Sequence, residues 1–445
     1  MSNPILVLGA GRSSVSLLYY LNDLAKEHSF RVSVADGDSS NLELRTKGLD
    51  NFDNLIFEAL DEKNLAALIG NHKIVISLLP PPLHPIVAKA CLVSCSNLVT
   101  ASYESDAMRE LASQIKEKGL IFINECGLDP GIDHMSAMEV IKDIQAKGGE
   151  ISKFHSYCGG LVADEYDNNP FRYKISWNPR NVVLAGKGVS RFLANGRISL
   201  LPYQRLFSEP ETVFVPDWGN FEAYPNRDSI PYISVYGLKG IKDLKRGTLR
   251  KPGFCERWAI FVRGGLTDDE SLISFDPGSS YFDYLKVFFP GILPDNYTEF
   301  VSFVGNKKIA EQILDLGMRF ENPVVLSRNS GTPADFLLDL IVRNWALNEE
   351  DQDLVVMLHE FRFKLDNVEY QTVASFGIKG SDSIHTAMAK TVGLPLGIVA
   401  KLLFLEKIDK KGLLLPLHTN IFKPVMEELS TFGLIFQVTT QTLKS

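Results

Sequence analysis

A single carboxylate, Asp129, stands in the run Asn124-Glu125-Cys126-Gly127-Leu128-Asp129-Pro130-Gly131-Ile132-Asp133-His134. Such a group can support a cation that develops beside it, or assist a proton transfer. The competing reading is an Asx turn that caps the next helix, a common use of Asp before Pro. Farther along, polar clusters occupy positions where a core would be apolar. They are Tyr224-Pro225-Asn226-Arg227-Asp228-Ser229, Arg246-Gly247-Thr248-Leu249-Arg250, and Tyr157-Cys158-Gly159-Gly160 with Ser176-Trp177-Asn178-Pro179-Arg180. Guanidinium forks bind carboxylates bidentately, so two arginine turns suggest a substrate with several carboxylates. Taken singly, each arginine reads more readily as a solvated surface ion pair than as a ligand-binding group.

The elements that must position these groups are legible from apolar runs. Leu120-Ile121-Phe122-Ile123 reads as a buried strand, the glycines and proline that follow as a turn, and the stretch from Met135 as a helix. In an open parallel sheet, ligands sit beyond the carboxyl ends of the strands, which is where Asp129 is delivered. The chain also begins with a strand, Ile5-Leu6-Val7-Leu8, then Gly9-Ala10-Gly11-Arg12-Ser13-Ser14, then an amphipathic stretch over residues 15–24. Gly9 permits the tight turn, and Gly11 lets the backbone approach a pyrophosphate at the helix N-terminus. Ser14 stands where a third glycine is usual and is small enough for close packing. A second strand, Phe30-Arg31-Val32-Ser33-Val34-Ala35, ends at Asp36-Gly37, and an acid there suits the ribose hydroxyls of NAD. Further strands at Leu55-Ile56-Phe57, residues 74–79, Leu98-Val99-Thr100 and residues 120–124 bring the total to six, alternating with helices. The triplet Pro80-Pro81-Pro82 closes the fourth on the same edge. This is a Rossmann-type doubly wound parallel sheet of the α/β class.

At 445 residues the chain has room for two or three domains, and its net charge of −8 argues against nucleic acid or an anionic membrane as partner. No basic, apolar-centred leader precedes the first strand. The longest apolar run, residues 393–405, is short for a bilayer and contains Lys401. The five cysteines lack metal spacing, so no metal site is expected and a reducing cytoplasm is the expected setting. The sequence leaves the oligomeric state open, a homodimer among the options.

Beyond residue 134 the pattern changes to an α+β text rich in aromatics, glycine and arginine. Strand-like pieces include Phe154-His155-Ser156-Tyr157, Val182-Val183-Leu184 and Tyr232-Ile233-Ser234-Val235. Helical periodicity runs over 280–349, sheet returns at 354–364 and 369–376, and helix again from 383. The expected organisation is a dinucleotide-binding domain over 1–130 and an α+β substrate domain over 131–385 with a helical insertion near 280–350. A C-terminal helical segment over 386–445 is expected to pack back on the first domain.

Six ordered strings make the chain resemble the saccharopine dehydrogenases of the L-glutamate-forming type. They are Val99-Thr100-Ala101-Ser102-Tyr103, residues 124–134, Ser156-Tyr157-Cys158-Gly159-Gly160-Leu161, Tyr173-Lys174-Ile175-Ser176-Trp177, residues 224–229 and residues 246–250. The resemblance implies oxidation of saccharopine by hydride transfer to a nicotinamide, then hydrolysis of the imine to glutamate and 2-aminoadipate semialdehyde. It implies that Ala10, Gly11, Arg12 and Ser13 hold the pyrophosphate, and that Thr100, Ala101, Leu128, Asp129, Pro130 and Asn178 line the cofactor. Ser102, Tyr103, Asp129, Arg227, Thr248, Leu249 and Arg250 would face saccharopine, with Asp129 and Tyr103 as the catalytic pair. NADP-using relatives carry a basic residue where this chain has Asp36, and a carboxylate there repels a 2′-phosphate. NAD is therefore expected ahead of NADP. Lys251, Pro179 and Asn181 also depart from the family pattern, at the rim. Two other readings compete: a carboxyspermidine-type imine dehydrogenase, disfavoured by the paired arginines, and a non-catalytic nucleotide sensor, disfavoured by retention of Asp129. The length also argues against a bifunctional arrangement with a lysine–ketoglutarate reductase.

Overall fold

A computed structural model describes residues 4–57 and 62–443. The first six strands are β1 (Ile5–Leu8), β2 (Val32–Asp36), β3 (Phe52–Ile56), β4 (Ile74–Ser77), β5 (Asn97–Thr100) and β6 (Ile121–Ile123). Next come β7 (Glu150–Val162), β8 (Val189–Ala194), β9 (Arg197–Pro202), β10 (Glu211–Val215), β11 (Gly219–Pro225) and β12 (Asp243–Arg250). A short pair, β13 (Ile273–Ser274) and β14 (Ser330–Gly331), precedes β15 (Asp353–Leu365), β16 (Val368–Lys379), β17 (Gly412–Leu414) and β18 (Gln437–Thr442). The chain divides into two compact units, Met1–Ile151 with Gln352–Ser445, and Ser152–Asp351.

In the first unit a seven-stranded parallel sheet runs β17-β6-β5-β4-β1-β2-β3. Strands β1 and β4 are buried throughout, as continuous apolar strands covered on both faces must be. The strand order reverses between β1 and β4, and that switch point is where such sheets bind dinucleotides. The outermost strand β17 comes from the C-terminal region, whose three residues give no periodicity to read. Strand β18 also lies in that region, which is therefore not helical throughout. All six β18 residues are exposed and polar apart from Val438, so no apolar alternation marks it. Strands β15 and β16 form an antiparallel hairpin whose turn, Asp366-Asn367, has both residues at positive φ, as a two-residue turn demands.

The helix Ala387–Phe404 is long and apolar enough to cross a membrane by length and composition, yet 78% of it is buried within the structure. It lies against the helix Val15–His28. A Cβ at Gly393 would stand 2.6 Å from Leu17 N, and one at Gly397 would stand 2.6 Å from Tyr20 Cδ1. Only glycine lets the two backbones approach so closely. The sequence-derived limits at 130 and 385 differ from the observed divisions. The helix Ile132–Ala146 belongs to the first unit because it packs on its C-terminal helix Thr419–Thr431, and Ser136 Oγ lies 2.8 Å from His359 Nε2 of β15.

The second unit carries a mixed sheet, β10-β11-β12-β7, with the hairpin β8–β9 joined to β12. Its core is aromatic: Phe254 stacks on Trp258 with centroids 5.5 Å apart, and Phe171 on Phe261 at 5.6 Å. The helices Tyr281–Phe288 and Pro333–Trp345 open on capping boxes, Ser280 with Asp283 and Thr332 with Asp335. Two segments read as strands are short helices. Asn178 caps Pro179–Val183 with proline in its first turn, and Pro231 precedes Tyr232–Val235. In both, the proline fixes a helical φ before the β-branched residues that suggested a strand.

Candidate active site

The glycine turn follows β1 directly. Gly9 has φ of +98°, and a Cβ there would sit 3.2 Å from the Leu78 carbonyl carbon, so the position is held for glycine. A Cβ on Gly11 would meet nothing within 4 Å. That open face lies before the helix Val15–His28, where main-chain N–H groups and the helix dipole favour a phosphate. Ser14 is buried and donates to Gly11 O at 2.8 Å, which explains why it serves in place of a third glycine. Arg12 is exposed and Ser13 half-buried. Asp36, at the end of β2, accepts from Ala10 N at 2.6 Å and from Asp38 N at 2.9 Å. Gly37 beside it is exposed.

At the carboxyl ends of β4 and β5 the structure adds a residue that sequence reasoning missed. His84, only 3% exposed, places Nδ1 3.0 Å from Ser77 Oγ, with Nε2 2.8 Å from Ser102 Oγ and 3.2 Å from Thr100 Oγ1. Two residues expected to face ligands, Thr100 and Ser102, are thereby tied to one imidazole. Burial pushes His84 down from 6.5 to about 4, so the ring is neutral at working pH. A histidine whose folded value is depressed contributes stability above its unfolded value and loses it as pH falls through the interval down to the folded value. The expected outcome is a loss of about 3 kcal/mol of stability between pH 6.5 and 4 from this residue. Urea melts across that interval check it. The fall should be shallower in His84→Gln, and an identical slope in the variant would refute the assignment.

The loop after β6 is held by backbone geometry and by a buried polar network. Glu125 N donates to Ser102 O at 3.1 Å and Cys126 N to Thr100 O at 3.0 Å, so the loop is laced to the end of β5. Gly131 has φ of +147°, and a Cβ there would fall 2.1 Å from Gly127 O. A Cβ on Gly127 would in turn approach Ala101 Cβ to 2.9 Å. Both glycines are therefore required for the turn to close. Glu125 accepts from Glu104 N at 3.0 Å and its other oxygen lies 2.7 Å from His134 Nε2. Gly131 N donates to Asp133 Oδ1 at 2.6 Å. All three side chains, Glu125, Asp133 and His134, are buried, so they brace the loop from below.

On this frame stands Asp129, half-buried between the buried residues Leu128 and Pro130. Tyr103 donates its hydroxyl to Asp129 Oδ1 at 2.9 Å. The two residues expected to form the catalytic pair, 26 positions apart, are thus in direct contact. A carboxylate fixed by a phenol at the carboxyl edge of a dinucleotide sheet can stabilise a cation beside it and can share a proton with that phenol.

In the second unit, Arg250 ends β12 and is 2% exposed. Its guanidinium lies over Tyr173 and Phe254, each 5.2 Å from the ring centroid, and Nη1 donates to Leu249 O at 3.0 Å. Its Nε is buried with no hydrogen-bond partner, and the charges that act on it come from Tyr224, Tyr173, Cys255 and Cys158, with no carboxylate among them. A buried cation without a counter-ion is costly, and here the surrounding rings only partly compensate it. Leu249 is fully buried, and a Cβ on Gly159 would stand 2.8 Å from its carbonyl oxygen. Thr248 is half-buried. Arg227 differs from Arg250: it is exposed, at φ of +51°, beside Asp228, which pairs with Arg191 at 2.9 Å. Asn178 is exposed and accepts from Arg180 N at 3.0 Å as a helix cap. Lys251 is buried and paired with Asp164.

Residues 5–123 match the family described as saccharopine dehydrogenase NADP binding domain, and residues 127–434 match saccharopine dehydrogenase C-terminal domain. The chain is 32% identical to alpha-aminoadipic semialdehyde synthase, mitochondrial, of Mus musculus, over 99% of this chain and 48% of that protein. It spans about half the length of such relatives. It is 30% identical to saccharopine dehydrogenase [NADP(+), L-glutamate-forming] of Pyricularia oryzae over 96% of each. The solved apo saccharopine dehydrogenase (L-Glu forming) from Saccharomyces cerevisiae superposes with a TM-score of 0.87, at 29% identity, covering 99% of this chain and 100% of that one. With both family models matched along its length and a full-length relative at 30% identity, the chain belongs to the saccharopine dehydrogenase family.

Proposed function

We propose that this chain oxidises saccharopine with NAD(P) and hydrolyses the resulting imine to L-glutamate and 2-aminoadipate semialdehyde. One observation carries the reading: a hydroxyl–carboxylate pair, Tyr103–Asp129, at the carboxyl edge of a dinucleotide sheet in a chain of this family. The glycine turn, with Gly9 at positive φ and an open Gly11, fits a dinucleotide pyrophosphate. A dinucleotide held by this turn would supply a nicotinamide to accept a hydride from the carbon that bears the secondary amine. Asp129 offsets the positive charge that grows on nitrogen as the hydride leaves. Tyr103 holds the carboxylate in one orientation and can pass a proton to or from it. Water then adds to the imine carbon and the C–N bond breaks, with the nitrogen leaving on the glutamate half. Arg250 is the receptor for one substrate carboxylate, since its buried guanidinium lacks an anion of its own.

Asp36 supports NAD at the adenosine ribose. A reducing cytoplasm is the proposed setting, in keeping with five free thiols, four of them buried. The test is to incubate the purified chain with saccharopine and each dinucleotide, following absorbance of the reduced nicotinamide. Saccharopine-dependent reduction is expected, and its absence with both dinucleotides would overturn the reading.

A further inference from the structure

Ser77 closes β4 and Thr100 closes β5, side by side in register, and Ser102 follows two residues later. The proline turn after β4 leads into the helix His84–Ser94, whose first residue sets an imidazole among these three hydroxyls. Nδ1 meets one of them, Ser77 Oγ, at 3.0 Å. Nε2 meets two, Ser102 Oγ at 2.8 Å and Thr100 Oγ1 at 3.2 Å. Ser77, His84 and Thr100 are buried and Ser102 is half-buried, so Ser102 is the member through which the set can meet a ligand.

A neutral imidazole has one N–H and one lone pair, and the hydroxyls decide which nitrogen holds which. Burial, which pushes His84 down to about 4, keeps the ring neutral. With the proton on Nε2, Ser77 donates to Nδ1, and Ser102 accepts the N–H with Thr100 as a longer, shared acceptor. Only the Thr100 proton is then left to find a partner. With the proton on Nδ1, keeping the same two short contacts requires Ser102 to donate to Nε2. The buried protons of both Ser77 and Thr100 then lack an acceptor in the set, which is the costlier arrangement. We propose that His84, protonated on Nε2, is a positioning residue: by donating to Ser102 it turns the Ser102 hydroxyl proton outward, toward a carboxylate of the substrate. The inference rests on the substrate reading of the proposed function, since saccharopine offers carboxylates to such a donor. In the other tautomer Ser102 gives its proton to the ring and can only accept.

Two measurements on the full chain test it. The first needs no substrate: proton–nitrogen correlation spectra of chain labelled with heavy nitrogen in its histidines read the tautomer, with His84 assigned by its absence from His84→Gln. The proton is expected on Nε2, and a proton on Nδ1 would overturn the inference. The second is a double-variant cycle on saccharopine binding, followed by calorimetry, with thermal melting to verify each fold. His84→Asn can still meet Ser77 but is too short to reach Ser102, and should weaken saccharopine by about fivefold, against about tenfold for Ser102→Ala. The double variant should bind within about twofold of Ser102→Ala, because His84 acts through that hydroxyl. His84→Gln, long enough to place an N–H near the Nε2 position, should recover most of the loss. Losses that multiply in the double variant would make His84 a residue of the fold alone and overturn the inference, while saccharopine binding by wild type leaves the substrate reading standing. A wild-type chain that binds no saccharopine would overturn both, so the two failures are distinguishable.

Discussion

Asp129→Asn is expected to cut saccharopine turnover by roughly a hundredfold or more while leaving dinucleotide affinity near that of wild type. The substitution is close to isosteric, and the amide oxygen can still accept the Tyr103 hydroxyl that now bonds Oδ1 at 2.9 Å. The loop should keep its shape, because Gly127, Gly131 and the Glu125–His134 contact hold it independently of this side chain. What disappears is the negative charge, and with it the stabilisation of the cation that forms on nitrogen. Tyr103→Phe should cost less, about tenfold, because it removes one neutral donor and leaves the carboxylate in place. Stopped-flow measurement of nicotinamide reduction under saturating substrate separates the chemical step from binding. Turnover equal to wild type in Asp129→Asn would remove the residue from the mechanism.

The second large effect belongs to Arg250. Arg250→Lys should weaken saccharopine binding by about 1.5–3 kcal/mol, the range for hydrogen bonds to charged groups. Lysine keeps the charge but has neither the planar fork that meets a carboxylate bidentately nor the flat face that lies over Tyr173 and Phe254. Arg227→Lys should cost about 1 kcal/mol or less, because an exposed charge is screened by solvent and salt. Calorimetric titration of both variants with saccharopine, beside thermal melting to verify the fold, measures the difference. Equal affinities in wild type and Arg250→Lys would mean that the buried guanidinium serves the fold alone.

That contrast between two arginines marks where sequence reading stops. Both stand in polar turns of similar composition, and nothing local distinguishes the exposed Arg227 from the buried Arg250. Burial is a property of the assembled core, built from Phe171, Trp258 and Trp345, far apart in the chain. The glycine turn, the six strands and Asp129 were legible because each rests on a local pattern: an apolar run, then turn residues, then a helical period. The Tyr103–Asp129 contact was anticipated through family resemblance, and its geometry depends on β5 and β6 lying side by side. His84 escaped notice since a lone histidine after three prolines has no signature until Ser77, Thr100 and Ser102 surround it. The helices at Pro179–Val183 and Tyr232–Val235 were misread although their signals were present, in the Asn178 cap and in Pro231. There the β-branched residues were weighted above the proline that starts the turn.

Product identity tests the central claim most directly. The secondary amine of saccharopine has two C–N bonds to carbons that can give up a hydride, and the choice between them defines the reaction. Purified chain, saccharopine and dinucleotide are incubated to completion, the aldehyde is trapped with an aromatic amine, and the products are resolved by mass spectrometry. The account predicts L-glutamate and trapped 2-aminoadipate semialdehyde in equal amounts, each matching the reduced dinucleotide formed. Lysine and 2-oxoglutarate in their place would contradict it.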